Sequence, residues 1–148
     1  MARFFALQWH HDGIAPYMVF EGRSDHGDAL ILELQAWLAD HRAVARPVEE
    51  MAHHSGLAER SLKRRFRNAT GLRPLDYVQH LRIEHAKRLL EAGEQSIEDI
   101  AWQVGYEDPA FFRRLFRRLT GLAPGAYRRR YALPDFARTG TRETPVGP

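Results

Sequence analysis

The sequence predicts an all-α protein of about seven helices, in which two copies of a short helix pair flank one long helix. Three observations favour this fold class. Apolar residues recur every three or four positions through most of the chain, which is the spacing of amphipathic helices. Residues 64–77 and 114–127 are identical at eight of fourteen positions, so one structural unit occurs twice. Between the two copies, residues 74–91 carry apolar side chains at helical spacing without interruption.

Two longer helices are predicted outside the repeated pairs. One covers residues 28–41, and its inward face is expected to hold Leu30, Leu34, Trp37 and Leu38. The other is the linker helix over residues 74–91, whose apolar positions are Leu75, Val78, Leu81, Ile83, Ala86, Leu89 and Leu90. Trp102 also falls on an apolar face and is expected in the core.

Each copy of the repeat begins with a short helix that holds an alanine and, four positions later, a glycine. A small residue lets the next helix cross closely, and glycine adopts the left-handed backbone that ends a helix and turns the chain. In the second copy Ser96 is expected to cap the first helix, and Asp108-Pro109 to open the second. A short helix, a tight turn and a second helix form a helix-turn-helix. We therefore predict two such units, over residues 47–72 and 96–131.

Basic residues are concentrated in the second helix of each copy and just beyond it. The net charge is only +3, yet residues 60–73 contain six basic side chains and residues 113–130 contain seven arginines. Neither segment contains an acidic residue. Charge gathered in this way is typical of a protein that binds a polyanion. Guanidinium groups suit both phosphates and base edges, which favours that interpretation over two merely solvated helix faces.

Several kinds of chemistry find no support in the sequence. The chain has no cysteine, which excludes disulfides and thiolate sites and fits a reducing cytoplasm. No apolar run approaches the roughly 20 residues that span a bilayer. The histidines lack chelating spacing, as in His10-His11, His53-His54, and His80 with His85. No nucleotide-binding loop or catalytic motif is present, so we predict a protein that is not an enzyme and holds no metal or cofactor.

Two segments of the chain carry a family resemblance: GLAERSLKRRFRNATGLRPLDYVQHLRIEHAKRLL and SIEDIAWQVGYEDPAFFRRLFRRLTGLAPGAYRRRY. Together they resemble the C-terminal DNA-binding domain of AraC/XylS-type transcription regulators, over about residues 28–131. The resemblance implies seven helices, of which the third and sixth enter adjacent major grooves of double-stranded DNA. It implies sequence-specific binding that regulates transcription, with RNA polymerase as a further partner. One departure is Arg65, which stands where the second copy has Leu115, so the first unit is expected to pack less well there.

The same resemblance assigns DNA contacts to the second helix of each unit. The first of these helices is expected to present Arg60, Lys63 and Arg64 to base edges, with Arg67 on a phosphate. The second is expected to present Ala110, Arg113 and Arg114 to base edges, with Arg117 on a phosphate. The spacing agrees independently, because residues three and four positions apart form one stripe on a helix. For Arg65 and Arg118, DNA contact and a plain surface role both stay open.

Outside this domain, residues 1–27 resemble the junction that follows a glutamine-amidotransferase-like sensor domain in one branch of the family. The resemblance implies that an effector binds a sensor domain not present here, and that the isolated domain is monomeric. The lack of cysteine and of a long apolar run predicts a cytoplasmic protein. Residues 132–148 lack periodicity and are predicted to be disordered.

Two alternatives belong to other classes of function. A helical protein-interaction module with a basic surface would use Phe111, Phe112 and Tyr127 for docking. RNA binding is less favoured, because the deep, narrow groove of A-form RNA does not admit these helices.

Overall fold

The computed structural model describes residues 19–134, which form seven helices and, within that range, no strand. We number the helices α1 Ala29–Asp40, α2 Pro47–Ser55, α3 Glu59–Thr70, α4 Pro74–Ala92, α5 Ile97–Gln103, α6 Pro109–Thr120 and α7 Pro124–Tyr131. Within the described residues, the predicted all-α class and the number of helices are confirmed. The predictions about His10-His11, most of the 1–27 junction and nearly all of the 132–148 tail lie outside the described residues.

The linker helix α4 takes part in two separate hydrophobic cores. Tyr77 and Val78, in its first half, pack with buried side chains of α1, α2 and α3. Ile83, Ala86 and Leu90, in its second half, pack with buried side chains of α5, α6 and α7. A pair of short helices cannot bury its apolar faces alone, so α4 completes both units as well as joining them. The structure is thus two helix-turn-helix subdomains on one shared helix, as predicted.

Side-chain caps start helices α5 and α6 where the sequence predicts. Ser96 Oγ accepts the backbone N–H of Asp99 at 3.0 Å at the start of α5. A carboxylate oxygen of Asp108 accepts the N–H of Ala110 at 2.9 Å at the start of α6. Each cap satisfies one of the backbone donors that a helix leaves unpaired at its N-terminus. In the first unit, Gly56 ends α2 with a left-handed φ of 75°.

Thr70 and Thr120 end the second helix of each unit in the same way. Each hydroxyl donates to the carbonyl four residues earlier, at 2.9 Å and 2.8 Å respectively. Each also accepts the N–H two residues later, at 3.1 Å and 3.2 Å. The shared bonding explains why Thr-Gly-Leu occurs in both copies of the repeat, because it fixes the turn from the basic helix into the next one.

Trp102 is not in the core, contrary to the prediction from its sequence neighbours. Its side chain is 70% exposed. Helix α5 is only seven residues long, and Ile100 and Ala101 occupy its buried side. Trp102 follows them by 100° to 200° around the helix and so projects away from the core.

The inward faces of α1 and α4 are also shifted slightly from those predicted. In α1 the fully buried position near the start is Ile31, and Leu30 lies only half-buried at the edge of the stripe. Trp37 is half-buried against the first core. In α4, Leu75 is 49% exposed, because Pro74 and Tyr77 take the buried side of the first turn.

Arg82 of α4 joins the two units on the side of the linker helix opposite His80. Its buried guanidinium donates from Nε to the carbonyl of Arg42 at 2.7 Å and from Nη2 to that of Val44 at 2.6 Å, both between α1 and α2. The same guanidinium lies 4.9 Å from the centre of the Tyr106 ring in the second unit. One side chain therefore holds the α1–α2 loop against the turn of the second helix-turn-helix.

The described residues that precede α1 pack across α4. The buried ring of Phe20 stacks on His80 with 4.7 Å between ring centres, and its backbone N–H donates to Glu84 at 3.0 Å. Gln35 of α1 donates to the carbonyl of Arg23 at 2.8 Å, which holds the same segment from the other side. Among the described residues, no helix is long and apolar enough to cross a membrane.

Candidate nucleic-acid interface

Helices α3 and α6 are amphipathic in the same way, and each is the second helix of its helix-turn-helix. The apolar side of α3 is fully buried at Leu62 and Phe66, and that of α6 at Phe112 and Phe116. These pairs lie four positions apart, which aligns them on one side of each helix. The opposite side of both helices is left to basic residues. We call α3 and α6 the recognition helices.

All eight residues predicted to contact DNA lie exposed on this opposite side. The structure brings them together as two stripes, defined as Arg60, Lys63, Arg64 and Arg67 on α3, and Ala110, Arg113, Arg114 and Arg117 on α6. Each stripe follows the helical spacing of three, four and seven positions, so its members share one face. The geometry supports the predicted grouping of the residues, and their roles toward DNA remain predictions.

Two stripe residues have acidic neighbours. Nη2 of Arg113 lies 2.6 Å from a carboxylate oxygen of Glu98 on α5, and Nζ of Lys63 lies 3.8 Å from Glu59 one turn earlier. The hydrogen bond from Arg113 holds the pKa of Glu98 below its ordinary value. Among residues 19–134, no carboxylate pairs with the guanidinium groups of the remaining stripe arginines, Arg60, Arg64, Arg67, Arg114 and Arg117.

Sequence reasoning missed the ion pair between Glu98 and Arg113. The signal that could have found it is the position of Glu98 in the first turn of α5, facing the helix that crosses it. Both side chains are about half exposed, so the pair is open to competition from a phosphate or a base.

Arg65, whose role the sequence left open, belongs to the fold. Its guanidinium forms two hydrogen bonds with the carboxylate of Asp28, from Nε at 2.8 Å and from Nη2 at 3.0 Å. The expectation that Arg65 weakens packing where the second unit has Leu115 is therefore incomplete, because an ion pair to the start of α1 replaces the apolar contact. No local sequence pattern predicts this ion pair, because the two residues are 37 positions apart.

The surface suggested for a protein-interaction module is mostly buried. Phe112 is fully buried and Tyr127 is nearly so, and both belong to the second core. Phe111 alone of the three lies exposed. Phe112 and Tyr127 therefore stabilise the second unit, and of the three rings only Phe111 is exposed for docking.

No candidate metal centre emerges within residues 19–134, where no three His, Asp or Glu side chains are grouped to hold an ion. Burial lowers the pKa of His80 from 6.5 to about 4, and burial also lowers the pKa of His85. Both imidazoles are neutral at pH 7.

Comparison with known proteins identifies the family. A family model described as a helix-turn-helix domain matches residues 51–130. The chain belongs to the AraC-type helix-turn-helix family. It is 40% identical over 105 residues to the HTH-type transcriptional activator RhaR of Klebsiella pneumoniae, covering 70% of this chain and 37% of RhaR. It is 35% identical over 97 residues to the MmsAB operon regulatory protein of Pseudomonas aeruginosa, covering 66% of this chain and 32% of that protein. This AraC-type chain thus spans about a third of the length of these curated relatives.

Solved structures show the same fold. The DNA-binding domain of AdpA, solved in complex with a target DNA, superposes with a TM-score of 0.63 at 33% identity, covering 76% of this chain and 95% of that one. A transcriptional regulator from Chromobacterium violaceum superposes with a TM-score of 0.68 at 22% identity, covering 75% of this chain and 99% of that one.

Proposed function

We propose that this AraC-type chain binds specific sites on double-stranded DNA through both helix-turn-helix units and thereby regulates transcription. The observation that carries the proposal is the twofold occurrence of one surface: an exposed basic stripe on the second helix of a helix-turn-helix. A helix of this kind fits the major groove, where base edges can be distinguished. Relatives support the proposal, because RhaR is named a transcriptional activator and the AdpA domain was solved on its target DNA.

Within each stripe, the position along the helix divides the contacts into two kinds. Arg64 and Arg114 stand at matching central positions and carry exposed guanidinium groups without an ion pair among the described residues. Such a group can bind O6 and N7 of guanine with two hydrogen bonds. Arg67 and Arg117, one turn nearer the end of the helix, are assigned to phosphates. The remaining members of the stripes, Arg60, Lys63, Ala110 and Arg113, are assigned to base edges.

The linker helix suits binding in two adjacent major grooves. Its 19 residues extend for about 28 Å at 1.5 Å per residue, which is close to the ~34 Å between successive major grooves on one side of a duplex. The Arg82 contacts hold the two units in one arrangement, so their spacing on DNA is set by the protein.

The same proposal covers the setting in which the domain acts. It acts as a monomeric, non-enzymatic DNA-binding domain in the cytoplasm, and RNA polymerase is the partner through which transcription changes. The curated relatives are about three times longer than the matched region. An effector is therefore assigned to a separate sensor domain, which residues 1–27 join to the domain at 28–131.

Selection of binding sites from random duplex DNA tests the function. We expect two short enriched motifs whose centres lie about 10 base pairs, or one helical turn, apart. On the selected site, the logarithm of the binding constant should fall steeply with the logarithm of salt concentration, as for the release of about six or more counterions. A single motif would limit base recognition to one unit. No enrichment together with a flat salt response would refute DNA binding.

A further inference from the structure

A cleft lies between the two helix-turn-helix units, where the end of α3 and the start of α4 approach the end of α6. Its volume is about 370 Å³. The polar side chains around it come from both units and from the linker helix: Arg67, Arg73, Asp76, Gln79, His80 and Arg118. It is thus built from three arginines on three different parts of the fold.

The charge of the cleft favours an anion. Arg73 is neutralised locally, because its Nε lies 3.1 Å from the carboxylate of Asp76. Arg67 and Arg118 form no ion pair with any carboxylate in the described part of the chain. His80 is neutral at pH 7 and adds no charge. Two uncompensated guanidinium groups therefore face one concave site, a donor arrangement that matches phosphate oxygens.

The cleft shares Arg67 with the α3 stripe, so it adjoins the surface proposed to face DNA. Arg67 is the last residue of the α3 stripe, and Arg118 directly follows Arg117, the last residue of the α6 stripe. The cleft thus lies between the ends of the two stripes. On one side of a duplex, two successive major grooves are separated by the minor groove and the strand backbone on each of its edges. Backbone phosphates must therefore lie between two helices placed in those major grooves.

We propose that this cleft binds one backbone phosphate between the two major grooves, held by Arg67 from the first unit and Arg118 from the second. The inference rests on the proposed DNA binding and adds to it a site that both units share. It makes Arg118 a DNA contact, although it lies outside the base-facing stripe. A phosphate held by both units also favours their simultaneous binding, because each arginine is positioned by its own helix-turn-helix core.

A double-mutant cycle tests the shared phosphate. Arg67→Ala and Arg118→Ala, singly and together, are compared by fluorescence anisotropy on the selected duplex, with thermal unfolding as a check on folding. Each single variant should lose about tenfold in affinity and lower the salt slope by about one. Because the two arginines share one phosphate, the double variant should lose far less than the hundredfold that independent contacts would give. Arg130→Ala, an exposed arginine on α7, serves as the matched control and should combine additively with Arg67→Ala.

A modified DNA separates this inference from DNA binding itself. Neutral methylphosphonate groups are placed one at a time along the backbone between the two motifs. At one position the affinity of the unmodified protein should fall about tenfold, and on that duplex Arg118→Ala should have no further effect. Additive losses in the cycle, with no such position, would overturn the shared site while leaving DNA binding intact. Thermal stabilisation by inorganic phosphate that requires Arg118, without coupling on DNA, would assign the cleft to a free anion and also overturn the proposal. Absence of duplex binding by the unmodified protein would instead refute the proposed function.

Discussion

Arg65 on recognition helix α3 and Asp28 at the start of α1 form a two-point ion pair, with N–O distances of 2.8 Å and 3.0 Å. Asp28 is also the N-cap of α1, and its Oδ1 accepts the N–H of Ile31 at 3.3 Å. One carboxylate therefore both starts α1 and attaches it to α3. An arginine in the middle of a basic helix is committed to the fold, while its neighbour Arg64 carries no such partner among the described residues.

Removing this ion pair should lower stability without changing DNA recognition. We expect Arg65→Ala to decrease the free energy of unfolding in urea slightly, since the pair is partly exposed, and to leave affinity for the selected duplex nearly unchanged. Asp28→Asn is the matched variant, because asparagine still caps a helix but cannot form the ion pair. A loss of specific DNA affinity in Arg65→Ala as large as in Arg64→Ala would contradict the structural role.

The Asp28 pair should also be visible in the dependence of stability on pH. The hydrogen bond from Arg65 lowers the pKa of Asp28 in the folded protein. A lowered carboxyl pKa contributes stability above the unfolded value, near 3.9, and that contribution is lost as the pH falls through the folded value. The stability difference between the unmodified protein and Arg65→Ala should therefore be constant from about pH 5 to 7 and shrink below about pH 4.

Recognition by α3 and α6 is tested by truncating their central arginines. Arg64→Ala and Arg114→Ala should each lose ~1–3 kcal/mol on the selected duplex and less on random duplex, because a base contact contributes only at the correct base. Unfolding in urea should change little, since both side chains are exposed. Arg65→Ala is the control, because it removes the same positive charge from α3 as Arg64→Ala does. Equal losses on selected and random DNA would make Arg64 and Arg114 phosphate contacts instead.

His80 should make the protein less stable in mild acid. Burial lowers its pKa from 6.5 to about 4, while Asp76 and Glu84 raise it and Arg118 and Lys87 lower it. Between these two pH values the unfolded chain takes up a proton that the folded protein excludes. The free energy of unfolding should therefore decrease as the pH falls from 6.5 to 4, by up to about 3 kcal/mol.

Urea unfolding of His80→Gln at pH 7 and pH 4.5 measures this contribution. The variant should show a smaller decrease between the two pH values than the unmodified protein does. His53→Gln, which replaces an exposed histidine on α2, should keep the full decrease. An unchanged decrease in His80→Gln would mean that another group titrates.

The sequence predicts well those parts of the fold that depend on neighbouring residues. Ser96, Asp108 and the two Thr-Gly turns act within four positions, so their caps and helix ends follow from local patterns. The exposed stripes follow equally from helical spacing. The sequence does not predict the Asp28–Arg65 ion pair or the hydrogen bonds from Arg82 to backbone carbonyls. These contacts join residues that are 37 to 40 positions apart. Backbone acceptors in particular have no signature in a sequence. Trp102 is exposed although its apolar character predicts burial, because α5 packs on the core through the side that holds Ile100 and Ala101.

The contacts of Arg82 with the α1–α2 loop and with Tyr106 predict that the two units bind DNA at a fixed separation. In Arg82→Met the carbonyls of Arg42 and Val44 lose their donor, which should cost about 1–3 kcal/mol of stability and loosen the α1–α2 loop from Tyr106. Gly105→Ala should have a similar effect by another route, because a Cβ there would lie 2.9 Å from Cζ of Arg82 and the φ of 112° strains any other residue.

The measurement compares duplexes in which the spacing between the two selected motifs is changed by one or two base pairs. The unmodified protein should bind the natural spacing much more tightly, because shifting one motif rotates it by roughly 35° for each base pair. Arg82→Met should lose part of this discrimination while binding an isolated motif as well as the unmodified protein does. A general loss of folding would weaken binding to every duplex in proportion, so a selective loss at the natural spacing isolates the positioning role. If both proteins discriminate equally, the stiffness of α4 alone sets the separation, and Arg82 contributes only to stability.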